Sequence, residues 1–313
     1  MSLTKFIKLK EVKEKFEEFF PIKPTLPVKK EIIAKPYTNN YSLVGTAFDY
    51  LFRFIIEKEN QGKVRIIKTL WIAEECLLLL KTFYSMNKGI NKELVREMNE
   101  EQKTFEPILK IFIEKFGKEK INELTNILDE TKKLYKNYLM SGKMDEKLIE
   151  NSLILAQLDT IFRAGTSALL SKNFVENFGK VNSKDVADLK NLISIIPKNL
   201  FRAKKLCVLN PSFKEAELVH GADCDLILDD TIIEIKTIKK LEFRSELFYQ
   251  LLGYYILNEI GGITILGKIE INKLGIYYSR FGYLFQFNIQ DVIDLNKISE
   301  VKKWFVDYAK KLL

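Results

Sequence analysis

Pro197 divides the sequence into two regimes. Between about Ile67 and Asn199 the apolar residues recur at helical spacing, whereas beyond Pro197 they come in short β-branched runs. In the first regime Ile121, Leu124, Ile127, Leu128 and Leu134 make one stripe, and Leu148, Ile149, Leu153, Leu155, Leu158 and Phe162 make another. Breaks at Asn87-Lys88-Gly89, at Ser141-Gly142 and near Pro197 predict five or six helices packed as a bundle. In the second regime Leu206–Leu209, Leu218–Leu228 and Thr231–Ile238 are predicted strands, the last two joined by the tight turn Asp229-Asp230. Phe243–Ile260 returns to helical spacing and stops at Gly261-Gly262. Two further strands, Leu274–Tyr278 and Tyr283–Phe287, flank Phe281-Gly282, and an amphipathic helix over Ile298–Leu312 ends the chain. Upstream, residues 1–20 predict a charged helix. Residues 21–41 hold four of the seven prolines and read as an extended arm, after which a helical pattern begins at Val44. The fold class is therefore α/β. The expected organisation is an N-terminal helix and arm (1–40), a discontinuous core (41–66 with 201–313) and an all-helical segment inserted into it (67–200).

Composition narrows the chemistry. With 47% hydrophobic residues in 313, the chain can bury a sizeable core. No apolar run approaches the ~18 residues of a membrane span. The N-terminus is studded with Lys5, Lys8, Lys10, Glu11 and Lys13, so no signal peptide is expected and the location is expected to be cytoplasmic. A single histidine, His220, excludes multi-histidine zinc sites, and no G-x-S-x-G elbow accompanies it to make a serine triad. Three scattered cysteines exclude a four-cysteine cluster within one chain. The net charge of +8 is mild and fits either a solvated lysine-rich surface or a polyanionic partner. Chemistry must then rest on carboxylates, lysines and a hard metal ion.

One stretch gathers those groups: Gly221-Ala222-Asp223-Cys224-Asp225-Leu226-Ile227-Leu228, the Asp229-Asp230 turn, and Thr231-Ile232-Ile233-Glu234-Ile235-Lys236. Strand alternation puts Asp223 and Asp225 on one face of the first strand, and Glu234 and Lys236 on one face of the next. The turn brings Asp225 toward Glu234. Two converging carboxylates with a lysine beside them suit a divalent cation such as Mg²⁺, which keeps several waters of its own. Glu-x-Lys by itself says little, since it recurs at Glu11, Glu101, Glu130 and Glu300 in helical patterns. Glu234-Ile235-Lys236 differs in lying inside an apolar strand, where charged groups are costly to bury.

An aspartate followed by Glu-x-Lys on paired strands resembles the PD-(D/E)xK nuclease superfamily. Gln250-Leu251-Leu252-Gly253-Tyr254 on the following helix is similar to the Gln-x-x-x-Tyr motif of its RecB-type and Cas4-type branch. That branch carries an upstream Gly-x-x-x-His helix; here Gly45-Thr46-Ala47-Phe48-Asp49 occupies the place, with Asp49 where histidine is usual. The family's Gly-x-x-Asp becomes Gly221 followed by Asp223 and Asp225. Either can fill the role, and the Asp-Leu-Ile-Leu continuation favours Asp225. Without four clustered cysteines a Cas4 enzyme proper is not expected. The resemblance implies a restriction-endonuclease-like mixed sheet flanked by helices and a metal-dependent deoxyribonuclease. In that reading Asp225, Glu234 and the carbonyl of Ile235 hold Mg²⁺ or Mn²⁺, with Asp49 as a further ligand. Lys236 positions the attacking water, and Gln250 and Tyr254 orient the site. Lys239, Lys240 and Arg244, just beyond the strand, are the candidate phosphate contacts; the partner is DNA and no membrane is involved. Two alternatives stand beside it: a non-catalytic nucleic-acid-binding protein on the same fold, and an interaction protein centred on the helical segment.

Overall fold

Short β-branched runs and long helical stripes sort themselves, in the computed structural model, into two compact units. The structure describes residues 2–66, 70–87 and 106–312. The expected start of the helical pattern at Ile67, most of the Asn87-Lys88-Gly89 break and the Glu101-Gln102-Lys103 match lie outside the described residues. Among the described residues the chain is mixed α/β, with eleven α-helices and one open six-stranded mixed sheet. The sheet unit comprises Met1–Lys35, Glu59–Thr69 and Ile195–Leu313; the helical unit comprises Pro36–Lys58 and Leu70–Ser194. This division departs from the expected one in two places. The N-terminal segment belongs with the sheet, and the helix after residue 40 belongs with the other helices. No helix among the described residues is long and apolar enough to cross a membrane.

The strands run β1 (Val64–Ile66), β2 (Cys207–Leu209), β3 (Leu226–Leu228), β4 (Thr231–Lys236), β5 (Lys273–Tyr278) and β6 (Tyr283–Asn288), and they neighbour one another in that order. β1 and β2 are parallel, as are β4 and β5; the other neighbours are antiparallel. The predicted strand over 218–228 survives only at its end. Ala216–Val219 is a 3-10 turn closed by left-handed His220, and the chain turns again at Gly221 (φ 115°) before β3. Buried Asn60, where the second segment of the sheet unit begins, ties that segment to the third. It donates to the Phe201 carbonyl (2.7 Å) and accepts from the Ala203 N–H (2.6 Å).

The residues predicted as one helix over 1–20 form two, α1 (Leu3–Phe6) and α2 (Lys10–Phe19). Leu3, Phe6, Val12, Phe16 and Phe19 recur at helical spacing and are buried in the sheet unit's core. This is why the segment is part of the core and not a free-standing arm. The crossover from β4 to β5 is α10 (Ser245–Ile260), buried on every side from Leu247 to Asn258. Gly253 lets α1 come close: a Cβ there would stand 2.8 Å from a Leu3 methyl. The last helix, α11 (Ile298–Lys310), buries only Val301, Phe305 and Ala309.

The helical unit contains α3 (Tyr41–Glu59), α4 (Ile72–Asn87), α5 (Glu106–Ser141, broken at Gly117), α6 (Glu146–Ala164), α7 (Thr166–Leu170), α8 (Lys172–Asn177) and α9 (Ser183–Ser194). α6 is its centre: Leu148–Asp159 is buried almost throughout, polar residues included. Within it Asp159 accepts a hydrogen bond from the Tyr50 hydroxyl at 2.7 Å. Burial pushes the Asp159 carboxyl up to about 6, against the opposing pull of Tyr50, Arg163 and Arg53. Because the folded state holds that proton longer than the unfolded chain, Asp159 costs stability as the pH rises from about 4 through 6. Asp159→Asn keeps an acceptor for Tyr50 and removes the cost. It should be more stable than the wild type at pH 7.5, by about 2–3 kcal/mol, and equal to it near pH 4. Thermal unfolding at the two pH values checks this; an equal difference at both would refute the buried-carboxylate explanation.

Candidate functional site

The β3–β4 hairpin sets the site. Its ladder pairs Leu228 with Thr231, Ile227 with Ile232 and Leu226 with Ile233, so the next step sets Asp225 opposite Glu234. The turn residue Asp229 takes a left-handed conformation (φ 52°) that aspartate tolerates better than most residues. Its carboxylate accepts the backbone N–H groups of Lys204, Lys205 and Leu206 at 2.7–3.0 Å, pinning the hairpin to the approach of β2. Burial works against this carboxylate's charge, but those three N–H groups and Lys204 outweigh it and hold its pKa below the ordinary value.

Five of the expected site residues join in one hydrogen-bonded cluster with the backbone of a sixth. Glu234, 6% exposed, accepts from Lys236 Nζ (2.6 Å) and Gln250 Nε2 (3.0 Å), both at Oε1. Its other oxygen, Oε2, is buried and has no hydrogen-bond partner among the described residues. Gln250 Nε2 also contacts the Tyr254 hydroxyl at 2.7 Å, one helical turn along α10. Asp225 is half-buried, and its Oδ2 accepts the Ile235 N–H at 2.6 Å. The Tyr254 ring stacks on Phe213, with centroids 5.5 Å apart and planes 11° from parallel.

The electrostatics follow from two acids in a poorly solvated place. Tyr254 is raised well above its ordinary pKa by burial first and then by Glu234 and Asp225. The buried Cys224 thiol is raised by the same causes and is therefore inert at neutral pH. For Lys236, burial favours the neutral amine, but Glu234 and Asp225 outweigh it and the pKa rises above that of an ordinary lysine. Lys236 is thus an ammonium at neutral pH, fit to hold a water or a phosphate oxygen and unfit to take a proton.

The remaining candidates have surroundings of their own. Asp49 lies on α3 in the helical unit, where its Oδ2 is 2.9 Å from Arg53 Nη2. Asp223 is exposed, and its backbone bridges to Ser212. Lys239 and Lys240 are exposed just past β4, and Arg244, at the start of α10, pairs with Glu242 at 3.3 Å. No group of three or more His, Cys, Asp or Glu side chains converges on a metal-sized site among the described residues. Sequence reasoning missed Phe213, whose stacking partner only the folded chain reveals.

No protein-family model matches the chain, and neither does any curated protein or solved structure. What the cluster does must be argued from its own chemistry. It offers two carboxylates, one with an unused buried oxygen, a fixed ammonium and a buried amide that orients Glu234.

Proposed function

We propose that the chain is a metal-dependent nuclease that hydrolyses DNA phosphodiester bonds, with the cluster at Asp225, Glu234 and Lys236 as its active site. The observation that carries this is the unused oxygen of Glu234 beside the Asp225 carboxylate. A buried carboxylate oxygen without a partner costs stability, and a hard cation that keeps most of its waters satisfies it with one or two protein ligands. Asp225 and Glu234 would hold Mg²⁺ or Mn²⁺, with the Ile235 carbonyl as the backbone ligand that the resemblance implies. The ion, when bound, supplies polarisation of the scissile phosphate and a more acidic bound water. Lys236 would fix that water or the charge building on the phosphate. Gln250 holds Glu234 in place through its amide, and Tyr254, stacked on Phe213, fixes Gln250 in turn.

Topology supports a restriction-endonuclease-like reading of the sheet: antiparallel β2, β3 and β4, then a helix, then parallel β5. In that reading the part of the helical unit from Leu70 to Ser194 is an insertion between β1 and β2. A second reading, a nucleic-acid-binding protein without turnover, is favoured by one observation. The direct Lys236–Glu234 ion pair already neutralises one carboxylate.

One assay separates the two. Labelled single- and double-stranded DNA is incubated with the protein and Mg²⁺, Mn²⁺ or EDTA. Cleavage with either ion and none in EDTA is expected. Gln250→Ala, which removes an orienting group and no ligand, should lower the rate by about 10–100-fold. DNA binding without cleavage under any ion would leave the binding module standing and the nuclease refuted.

A further inference from the structure

Residues 21–27 carry a proline at every third position, Pro21, Pro24 and Pro27, followed by Lys29 and Lys30. Such a segment is extended and stiff, so little freedom remains for it to lose on binding. Its far end is fixed to the sheet unit. The Ile33 and Ala34 N–H groups donate to the Arg280 carbonyl (3.0 and 2.9 Å), and the fully buried Arg280 guanidinium donates to the Ala34 carbonyl at 3.1 Å. The near end is tied down as well, by Lys23 Nζ lying 3.4 Å from Ser245 Oγ at the start of α10. The arm is therefore a built wall of the sheet unit.

That wall and the segment that follows β4 border an open groove of about 540 Å³. Lys29 and Lys30 line it from the arm, Lys239 and Lys240 line it from the other side of the chain, and its floor includes Leu241 and Phe281. No acidic residue is among the described residues lining it. Four lysines from two remote segments, without a carboxylate between them, concentrate positive potential in one groove. The groove is near the candidate site along the chain: Lys239 is three residues from Lys236, so their Cα atoms are at most about 11 Å apart.

We infer that the proline-rich arm is one wall of a groove for a nucleic-acid strand, with Lys29 and Lys30 as phosphate contacts alongside Lys239 and Lys240. The identity of the occupant rests on the nuclease reading, but the groove and its charge do not. A strand bound at Glu234 and Lys236 continues into the groove, where the lysines hold its backbone without reading sequence. The four-residue wall-and-rim arrangement also gives the arm a function that its sequence alone did not announce.

The test measures binding, in EDTA, of a fluorescent single-stranded 20-mer over a range of salt, alongside cleavage in Mg²⁺. K29E/K30E should weaken binding at 0.1 M salt by at least about tenfold and lower the slope of log affinity against log salt by about 1.4. K29Q/K30Q, a milder change, should show the same slope with a smaller loss. K172E/K184E reverses two exposed lysines of the helical unit and alters net charge equally; it should change affinity less than about threefold. Thermal midpoints of all variants confirm folding. If the arm variant binds as the wild type does, or if both reversals weaken binding equally, the groove is refuted. Cleavage by the wild type then still stands or falls by itself. Arm-dependent binding without any cleavage would keep the groove and refute the nuclease. Arm-dependent capture by phosphatidylserine vesicles with no oligonucleotide binding would overturn the nucleic-acid occupant.

Discussion

Asp225→Asn should leave the fold intact and lower DNA cleavage by about 10³-fold or more, some 4 kcal/mol of transition-state stabilisation. Asparagine matches aspartate in size, and its side-chain oxygen can still accept the Ile235 N–H that Asp225 Oδ2 accepts at 2.6 Å. What disappears is the charge. Asp225 is half-buried opposite Glu234; after burial, the two acids are what raise Tyr254 and Cys224, and against burial they raise Lys236. With one acid neutralised the field weakens, so a divalent ion loses both a ligand and much of its attraction. A thermal midpoint close to wild type together with lost cleavage is the expected pair of results. Wild-type cleavage by Asp225→Asn would place the active site elsewhere on the molecule.

The hairpin was legible in the sequence because its signals agree. β-Branched residues alternate around Glu234 and Lys236, two aspartates form the turn, and the observed ladder runs without a slip from Leu228–Thr231 to Leu226–Ile233. The helix after it was legible for the same reason, ending at Gly261 as the pattern required. β1 was not. Val64–Ile66 is three residues long and mostly exposed, and it becomes a strand only by pairing with β2, which follows more than a hundred residues later. Local pattern cannot express so distant a partner. The membership of α3 failed similarly. Its stripe announces a helix with an apolar face but not what covers it, and Tyr50 and Phe54 meet Trp71 of the helical unit at centroid distances of 6.0 and 5.3 Å. Asp49 lies on that helix, where it pairs with Arg53. The arm lysines gave no signal at all, because Lys29 and Lys30 come to share a groove with residues 239–241 only in the folded chain, where Arg280 holds the arm at Ala34.

The second large effect concerns the ion pair inside the cluster. Lys236→Ala removes the ammonium 2.6 Å from Glu234 and leaves a buried carboxylate with only the Gln250 amide to hold it. Breaking a buried pair from one side is strongly destabilising; here the lysine side chain is 24% exposed, so water relieves part of the cost. A loss of about 2–3 kcal/mol is expected in EDTA, seen as a midpoint lower by about 5–10 °C. The raised Lys236 pKa fixes the sign with pH. The pair's stabilisation is fully present below the ordinary lysine value of about 10.4 and is lost only as pH rises beyond it, so the whole effect is visible at pH 7. Millimolar Mn²⁺ should then restore most of the lost midpoint, because a cation bound to the native state alone stabilises it and now meets no competing ammonium. Cleavage should stay lost, since the ion replaces the lysine's charge but not its grip on the water. Glu234→Gln in the same background should recover stability without metal and abolish the response to Mn²⁺. If Lys236→Ala keeps the wild-type midpoint in EDTA and gains nothing from Mn²⁺, Glu234 is neither paired as described nor a metal ligand, and the proposed chemistry loses its basis.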